Sequence, residues 1–152
     1  MSGLYERFQY FLFPSNLCAM KDTVPTKKLE EYLQFAVETA EKAGKISLKY
    51  FRKEMQKEKK EDSTPVTQAD RETEEFLVKT IKGKYPKDSI LGEEFGANRG
   101  DSPFTWILDP IDGTKSFIAA VPLYSLLIGL RVEDESVLGI IHIPSSEETV
   151  SA

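Results

Sequence analysis

Apolar residues recur at helical spacing in a first long segment that runs from Thr26 to about Phe51. The apolar and small positions that share one face are Leu29, Leu33, Val37, Ala40 and Gly44. Glutamates fall mostly on the opposite face. This spacing predicts an amphipathic helix whose small residues pack closely against a neighbouring element.

A second helical pattern is predicted to start with Thr67 as its N-cap and to stop at Gly83. Its buried face is formed by Ala69, Thr73, Phe76, Leu77 and Ile81. Asp70 falls at the third helical position, where a carboxylate can accept hydrogen bonds from free backbone N–H groups. The mixed charge run at residues 52–62 predicts a solvated helix end or mobile loop, or alternatively a flap whose lysines close over a phosphate.

Strand-like patterns fill the second half of the chain. The pattern at residues 89–96 predicts a short strand that ends in two acids, Glu93 and Glu94. Adjacent side chains on a strand point to opposite faces, so at most one of the two can join a common site. A polar loop at 97–104 leads to an apolar strand at 105–108. Residues 123–132 and 137–143 predict an antiparallel hairpin. Within it, a packed or hydrogen-bonded role is favoured for His142 over catalysis.

Acidic residues, a glycine and a hydroxyl follow directly after the strand at 105–108. Asp109, Asp112 and the carbonyl of Ile111 can offer oxygen atoms to a hard cation. Gly113 lets the backbone approach a ligand, and Thr114 is placed to cap a helix whose free N–H groups favour an anion. A turn alone does not require all of these groups, so the pattern indicates metal-assisted phosphate chemistry.

The composition indicates one globular domain and argues against nucleic acid or an acidic membrane as a general partner. The 152 residues are 40% hydrophobic and 30% charged, which is typical of a globular chain. A net charge of −5 provides no general attraction to nucleic acid or an acidic membrane. Cys18 is the single cysteine, so an intrachain disulfide is excluded and a cytoplasmic location is expected.

The N-terminal region differs in character from the rest of the chain. The apolar, aromatic run at 8–13 is too short for a membrane span and has no signal-peptide cleavage pattern after it. Residues 1–19 are interpreted as a poorly fitted extension, or alternatively as an interface-seeking or partner-binding peptide. The folded domain is expected to cover residues 20–152.

Three motifs in order, at residues 65–70, 92–94 and 106–114, resemble those of the inositol monophosphatase superfamily. Residues 109–118, followed by 121–124 and 138–141, are most similar to the histidinol-phosphate phosphatase branch. The resemblance implies an α+β fold, a layered α/β sandwich of the inositol monophosphatase/sugar phosphatase type that is incomplete at the C-terminus. It also implies Mg²⁺-dependent hydrolysis of a small phosphate monoester, with histidinol phosphate as the expected substrate.

The same resemblance assigns roles to individual residues. Metal ligands are implied at Glu93, Asp109, Ile111 and Asp112. Asp70 and Thr114 correspond to the pair that orients and activates the attacking water. Substrate contacts are implied at Glu93, Ile111, Asp112, Gly113 and Thr114. A lysine near Lys59 or Lys60 corresponds to a mobile loop.

Several alternatives remain open at the level of sequence. The substrate can instead be an inositol monophosphate or a bisphosphonucleotide, because related branches share parts of the motif. The family's C-terminal half normally supplies another metal-binding aspartate and substrate-selecting groups, and residues 147–152 resemble a third strand with nothing left to pair it. A non-catalytic fragment that binds metal or a partner is therefore the alternative of another class. For the whole enzyme, the resemblance implies a small phosphorylated metabolite as partner, no membrane or nucleic acid, and a homodimer.

Overall fold

A computed structural model describes residues 24–53, 57–59, 65–133 and 135–152. The helices are α1 (Thr26–Tyr50), α2 (Gln68–Lys84) and α3 (Thr114–Ile118). The strands are β1 (Lys57–Lys59), β2 (Pro65–Thr67), β3 (Ser89–Gly92), β4 (Ala97–Asn98), β5 (Phe104–Asp112), β6 (Ser125–Val132), β7 (Glu135–Ile143) and β8 (Glu148–Ser151). The predicted extension at 1–19, with Cys18, lies outside these ranges.

Six strands form one mixed sheet in the order β4-β3-β5-β6-β7-β8, and β1 pairs with β2 in a separate two-stranded hairpin. The pair β3–β5 is parallel, whereas the other pairs of the large sheet are antiparallel. The hairpin predicted at 123–143 is confirmed as β6 and β7. The expectation that the last strand has nothing to pair with is wrong, because β8 turns back and pairs with β7.

Helices α1 and α2 pack against one face of this sheet and form the main core with it. In α1 the buried positions include Ala36, Ala40 and Ala43, which have no exposed surface. Side chains this small let the helix approach the sheet closely, as the sequence predicts. The sheet contributes Trp106, Leu108, Leu126, Ile128, Leu130 and Ile140. Residues of the opposite face, Ile107 and Leu127, form a smaller cluster with Ile141.

Asp88, directly before β3, is a buried carboxylate that is 4% exposed. Its carboxylate accepts hydrogen bonds from the Tyr32 hydroxyl, the Trp106 indole N–H and the Ser102 hydroxyl, at 3.1, 3.1 and 2.6 Å. A buried carboxylate is tolerated when donors surround it in this way. These bonds tie α1 to β5 and to the loop before β5, at the end of β3 and β5 away from the acidic motif.

Local structure departs from the sequence prediction in two places before the sheet. Part of the charged run forms β1, which pairs with β2, whereas a loop or helix end was predicted. Helix α2 continues through Gly83 to Lys84, because Gly83 does not adopt the left-handed φ that ends a helix. None of the helices in the described part of the chain is long and apolar enough to cross a membrane.

Candidate active site

The carboxyl end of β3 lies beside the middle of its parallel neighbour β5 and brings the two acidic motifs together. Gly92 of β3 is paired with Leu108 of β5, so the residues that follow them, Glu93 and Asp109, are neighbours. Asp70 lies in the first turn of α2 and is 2% exposed. The register of a parallel strand pair therefore explains why acids sixteen positions apart become neighbours.

Asp109 is the centre of this acidic cluster. Burial raises the pKa of its carboxyl well above the usual range, and the carboxylates of Glu93, Asp112 and Asp70 raise that pKa further. Glu93 also shares a hydrogen bond with it. The other oxygen, Oδ1, is buried and accepts no hydrogen bond from the described residues. Several carboxylates close to one buried oxygen form a site that favours a cation.

A β-bulge brings Asp112 to the same side of the strand as Asp109. Asp109 pairs with Leu127 and Asp112 with Ser125, so β5 advances by three residues where β6 advances by two. In a regular strand, residues three apart point to opposite faces, and the extra residue reverses this. Pro110, which has no N–H to donate, lies inside the bulge. The strand was predicted to end at 108, but it continues through the motif to Asp112.

Asp112 is held by β6. The Ser125 hydroxyl donates a hydrogen bond to its Oδ2 at 3.3 Å. Burial raises the pKa of Asp112, the Ser125 bond lowers it, and the charge of Glu93 raises it. Glu93 therefore acts electrostatically on both aspartates of the motif. The sequence pattern did not single out Ser125, which is an ordinary polar residue at the start of a strand.

After the bulge, the chain turns sharply at Gly113, whose φ of 90° and ψ of 36° are left-handed. Gly113 is the N-cap residue of α3, and no side chain caps that helix. The prediction that Thr114 caps it is therefore wrong. Thr114 is the first helical residue, and its hydroxyl donates a hydrogen bond to the Ile111 carbonyl at 3.1 Å. This bond ties together two residues that were both predicted to belong to the site.

A mainly aromatic cluster packs around the turn at Gly113. Ile111, Phe117 and Tyr124 are buried together with Ala69, which directly precedes Asp70 in α2. The rings of Phe117 and Tyr124 meet edge to face with their centroids 4.8 Å apart. Because the cluster contains residues of α2, β5 and α3, it holds Asp70 and the acidic motif in a fixed relation.

The donor set fits a hard cation in its chemistry. Within the described ranges, no three Asp, Glu, His or Cys side chains already converge in a metal-binding arrangement. Glu93 and Asp109 instead bond to each other, a contact that a cation between them would replace. The unbonded Oδ1 of Asp109 and the mutual repulsion of the acids are the features that favour such an ion.

The structure thus brings Glu93, Asp112 and Asp70 within electrostatic reach of Asp109, and Glu93 within reach of Asp112. The predicted contact of a loop lysine with phosphate stays a prediction, because the Lys59 side chain and Lys60 lie outside the described part of the chain. Sequence reasoning missed Glu74, a fully buried acid of α2. It precedes Leu77 and Ile81 by three and seven positions, so a glutamate in phase with the apolar face was a signal that could have revealed it.

Known proteins are similar to this chain in sequence and in fold. Residues 28–152 match the inositol monophosphatase family. Histidinol-phosphatase of Chlorobaculum parvum is 49% identical, over 79% of this chain and 47% of the relative. Inositol monophosphatase of Dictyostelium discoideum is 38% identical, over 82% of this chain and 47% of the relative. The crystal structure of the extragenic suppressor protein SuhB of Bartonella henselae superposes with a TM-score of 0.77 at 30% identity, covering 80% of this chain and 48% of that one.

The mixed α and β fold is therefore that of the inositol monophosphatase-like proteins, as predicted. This chain belongs to the inositol monophosphatase family, and the Chlorobaculum parvum and Dictyostelium discoideum relatives are both phosphatases by name. It spans about half the length of the curated relatives that it matches. Those relatives are named for different substrates, so the phosphatase family is what they have in common.

Proposed function

We propose that this site belongs to a Mg²⁺-dependent phosphatase that hydrolyses histidinol phosphate. The observation that carries the proposal is the group of carboxylates around the buried Asp109, whose pKa they raise. Glu93, Asp109, Asp112 and the Ile111 carbonyl are the groups that would hold the metal. Oxygen ligands without histidine or cysteine favour Mg²⁺ over zinc.

The chain's own residues supply the remaining chemistry. Asp70, buried at the start of α2, can accept a proton from the attacking water. The Thr114 hydroxyl donates its proton to the Ile111 carbonyl in a hydrogen bond. Its lone pairs can therefore accept a hydrogen bond from the same water. The exposed backbone at Gly113 is open to the phosphate. Bound Mg²⁺ supplies positive charge that offsets the charge of the phosphate and lowers the pKa of water.

The choice of histidinol phosphate follows from the relative in Chlorobaculum parvum, which is 49% identical. Inositol monophosphate is the second candidate, because the Dictyostelium discoideum inositol monophosphatase is 38% identical over a similar stretch. Both are small phosphate monoesters, so the same site chemistry serves either substrate. A nucleotide bisphosphate completes the set of substrates that we would compare.

The test measures inorganic phosphate released by the purified 152-residue chain with Mg²⁺ and each of the three substrates. We expect turnover to be highest with histidinol phosphate and to fall by about 100-fold or more in Asp109→Asn, because a central metal ligand is lost. Asp101→Asn removes the same charge from an exposed loop residue and is expected to leave turnover unchanged.

Each other outcome has a definite meaning. Equal phosphate release by the wild-type and Asp109→Asn chains contradicts the assigned site. Preference for inositol monophosphate replaces the substrate but keeps the reaction. Metal binding by the chain without phosphate release from any of the three substrates favours the non-catalytic alternative.

A further inference from the structure

Glu74 is a charged residue with no exposed surface, in the middle of α2. Its two carboxylate oxygens accept hydrogen bonds from successive backbone N–H groups: Oε2 from Glu94 at 2.8 Å and Oε1 from Phe95 at 2.9 Å. Burying a carboxylate is costly unless its oxygens are bonded. The helix therefore holds the bend that directly follows β3 through two charge-assisted bonds.

The backbone on the other side of Glu93 is equally restricted. A Cβ atom on Gly92 would overlap Oε1 of Glu74, so the carboxylate lies directly against the end of β3. The Gly92 N–H donates to the Gly96 carbonyl at 3.0 Å, which closes the bend. Residues on both sides of Glu93 therefore contact Glu74: Gly92 packs against its carboxylate, and the N–H groups of Glu94 and Phe95 donate hydrogen bonds to it.

We propose that Glu74 is a positioning residue that fixes the 93–95 bend so that Glu93 faces Asp109, and that it thereby sets the affinity of the site for a divalent cation. The inference rests on the proposed function only for the cation; the hold on the bend stands on the hydrogen bonds alone. Glu74 belongs to no predicted metal or substrate contact. It acts through the backbone of residues 93–95.

The first arm of the test measures Mn²⁺ binding by calorimetry on the full chain. Glu74→Gln replaces one accepting oxygen with an NH₂ donor that faces a backbone N–H, and we expect Mn²⁺ affinity to fall roughly 10–100-fold. Gly92→Ala, which displaces the intact carboxylate, is expected to show the same loss. Turnover at saturating Mg²⁺ should recover in both variants, because the ligands themselves are unchanged.

Two controls separate positioning from general effects. Glu75→Gln removes the same charge from the exposed neighbour on α2 and is expected to leave Mn²⁺ affinity unchanged within about twofold. Ile81→Val removes buried methylene volume from the same helix and weakens folding without touching the bend. Its Mn²⁺ affinity should match that of the wild-type chain. If Ile81→Val loses affinity to the same extent as Glu74→Gln, the effect is one of stability and the inference is wrong.

The second arm needs no metal. Amide hydrogen exchange by NMR should show protected N–H groups at Glu94 and Phe95 in the metal-free wild-type chain, and faster exchange at both in Glu74→Gln. Unprotected wild-type amides overturn the inference whatever the metal does. Wild-type Mn²⁺ binding that equals that of Glu74→Gln overturns its link to affinity. A wild-type chain with protected amides that binds no Mn²⁺ contradicts the proposed function and the affinity link, and leaves only the hold on the bend.

Discussion

Replacing Gly113 with alanine should destabilise the turn that follows the acidic motif, by an amount that the structure allows us to estimate. The left-handed φ of 90° costs about 1–2 kcal/mol for a residue that carries a Cβ. That Cβ would also lie 3.1 Å from the Leu123 carbonyl oxygen, and crowding of this kind adds about 1 kcal/mol. The lower entropy of the unfolded alanine chain returns about 0.4–1 kcal/mol. The expected net loss is about 1–3 kcal/mol.

Gly96→Ala is the matched control for this change. Gly96 is also left-handed, with φ of 70°, but no atom lies within 4 Å of its added Cβ. It should therefore lose only the conformational part, about 0.5–1.5 kcal/mol. The difference between the two variants, about 1 kcal/mol, measures the contact with Leu123.

Urea unfolding followed by fluorescence measures both variants, because Trp106 is the single tryptophan and has no exposed surface. Phosphate release by Gly113→Ala should also drop about tenfold or more, because Thr114 moves with the turn. If Gly113→Ala is no less stable than Gly96→Ala, the contact with the Leu123 carbonyl does not constrain residue 113 and the reasoning is refuted.

The remaining predictions concern the packing of α1 and the single histidine. In Gly44→Ala, the new Cβ would lie 2.5 Å from Nε2 of His142. The overpacking cost of about 1–3 kcal/mol should outweigh the gain of about 1 kcal/mol in helix propensity, so urea unfolding should show lower stability. Gly83→Ala, where no atom lies within 4 Å of the added Cβ, should instead gain up to about 1 kcal/mol. Equal stabilisation of both variants would contradict tight packing at residue 44. Burial lowers the pKa of His142 in the folded chain below 6.5, although the charge of Glu41 partly opposes this. Between 6.5 and that lowered pKa only the unfolded chain binds the proton, so the folded chain should lose stability as the pH falls through this window. NMR titration of this one imidazole checks the direction, and a midpoint at or above 6.5 would contradict it.

The two long helices and the β6–β7 hairpin were predictable because their signals are local. The apolar spacing that begins at Leu29 and continues through Ala40 places α1 correctly, because one buried face is enough to define a helix. His142 was predicted to be packed or hydrogen-bonded, and its Nδ1 lies 2.9 Å from the Thr149 hydroxyl. Both features depend on a few neighbouring residues of the chain.

The geometry of the site was less predictable because it depends on pairing between distant strands. Asp109 and Asp112 were recognised as partners from their chemistry, but regular strand spacing would separate them, and only the register with β6 reveals the bulge. The burial of Glu74 could have been inferred from its phase with Leu77 and Ile81, but its role could not. Its bonding partners are backbone N–H groups twenty and twenty-one positions away, and a backbone donor leaves no mark in the sequence. The predicted roles of Asp70 and Thr114 in activating water stay predictions.

The bulge in β5 makes the site depend on the length of the chain as well as on its chemistry. A substitution at Pro110 or Ile111 would leave the count of residues between the two aspartates unchanged, and β6 would still oppose them in the same register. Loss of a single residue there would leave the two acids two positions apart, where a regular strand already places them on one face. It would remove the bulge, and with it the additional backbone carbonyl that lies between them. The bulge therefore adds a backbone oxygen between two acids that stay on the same side of the strand.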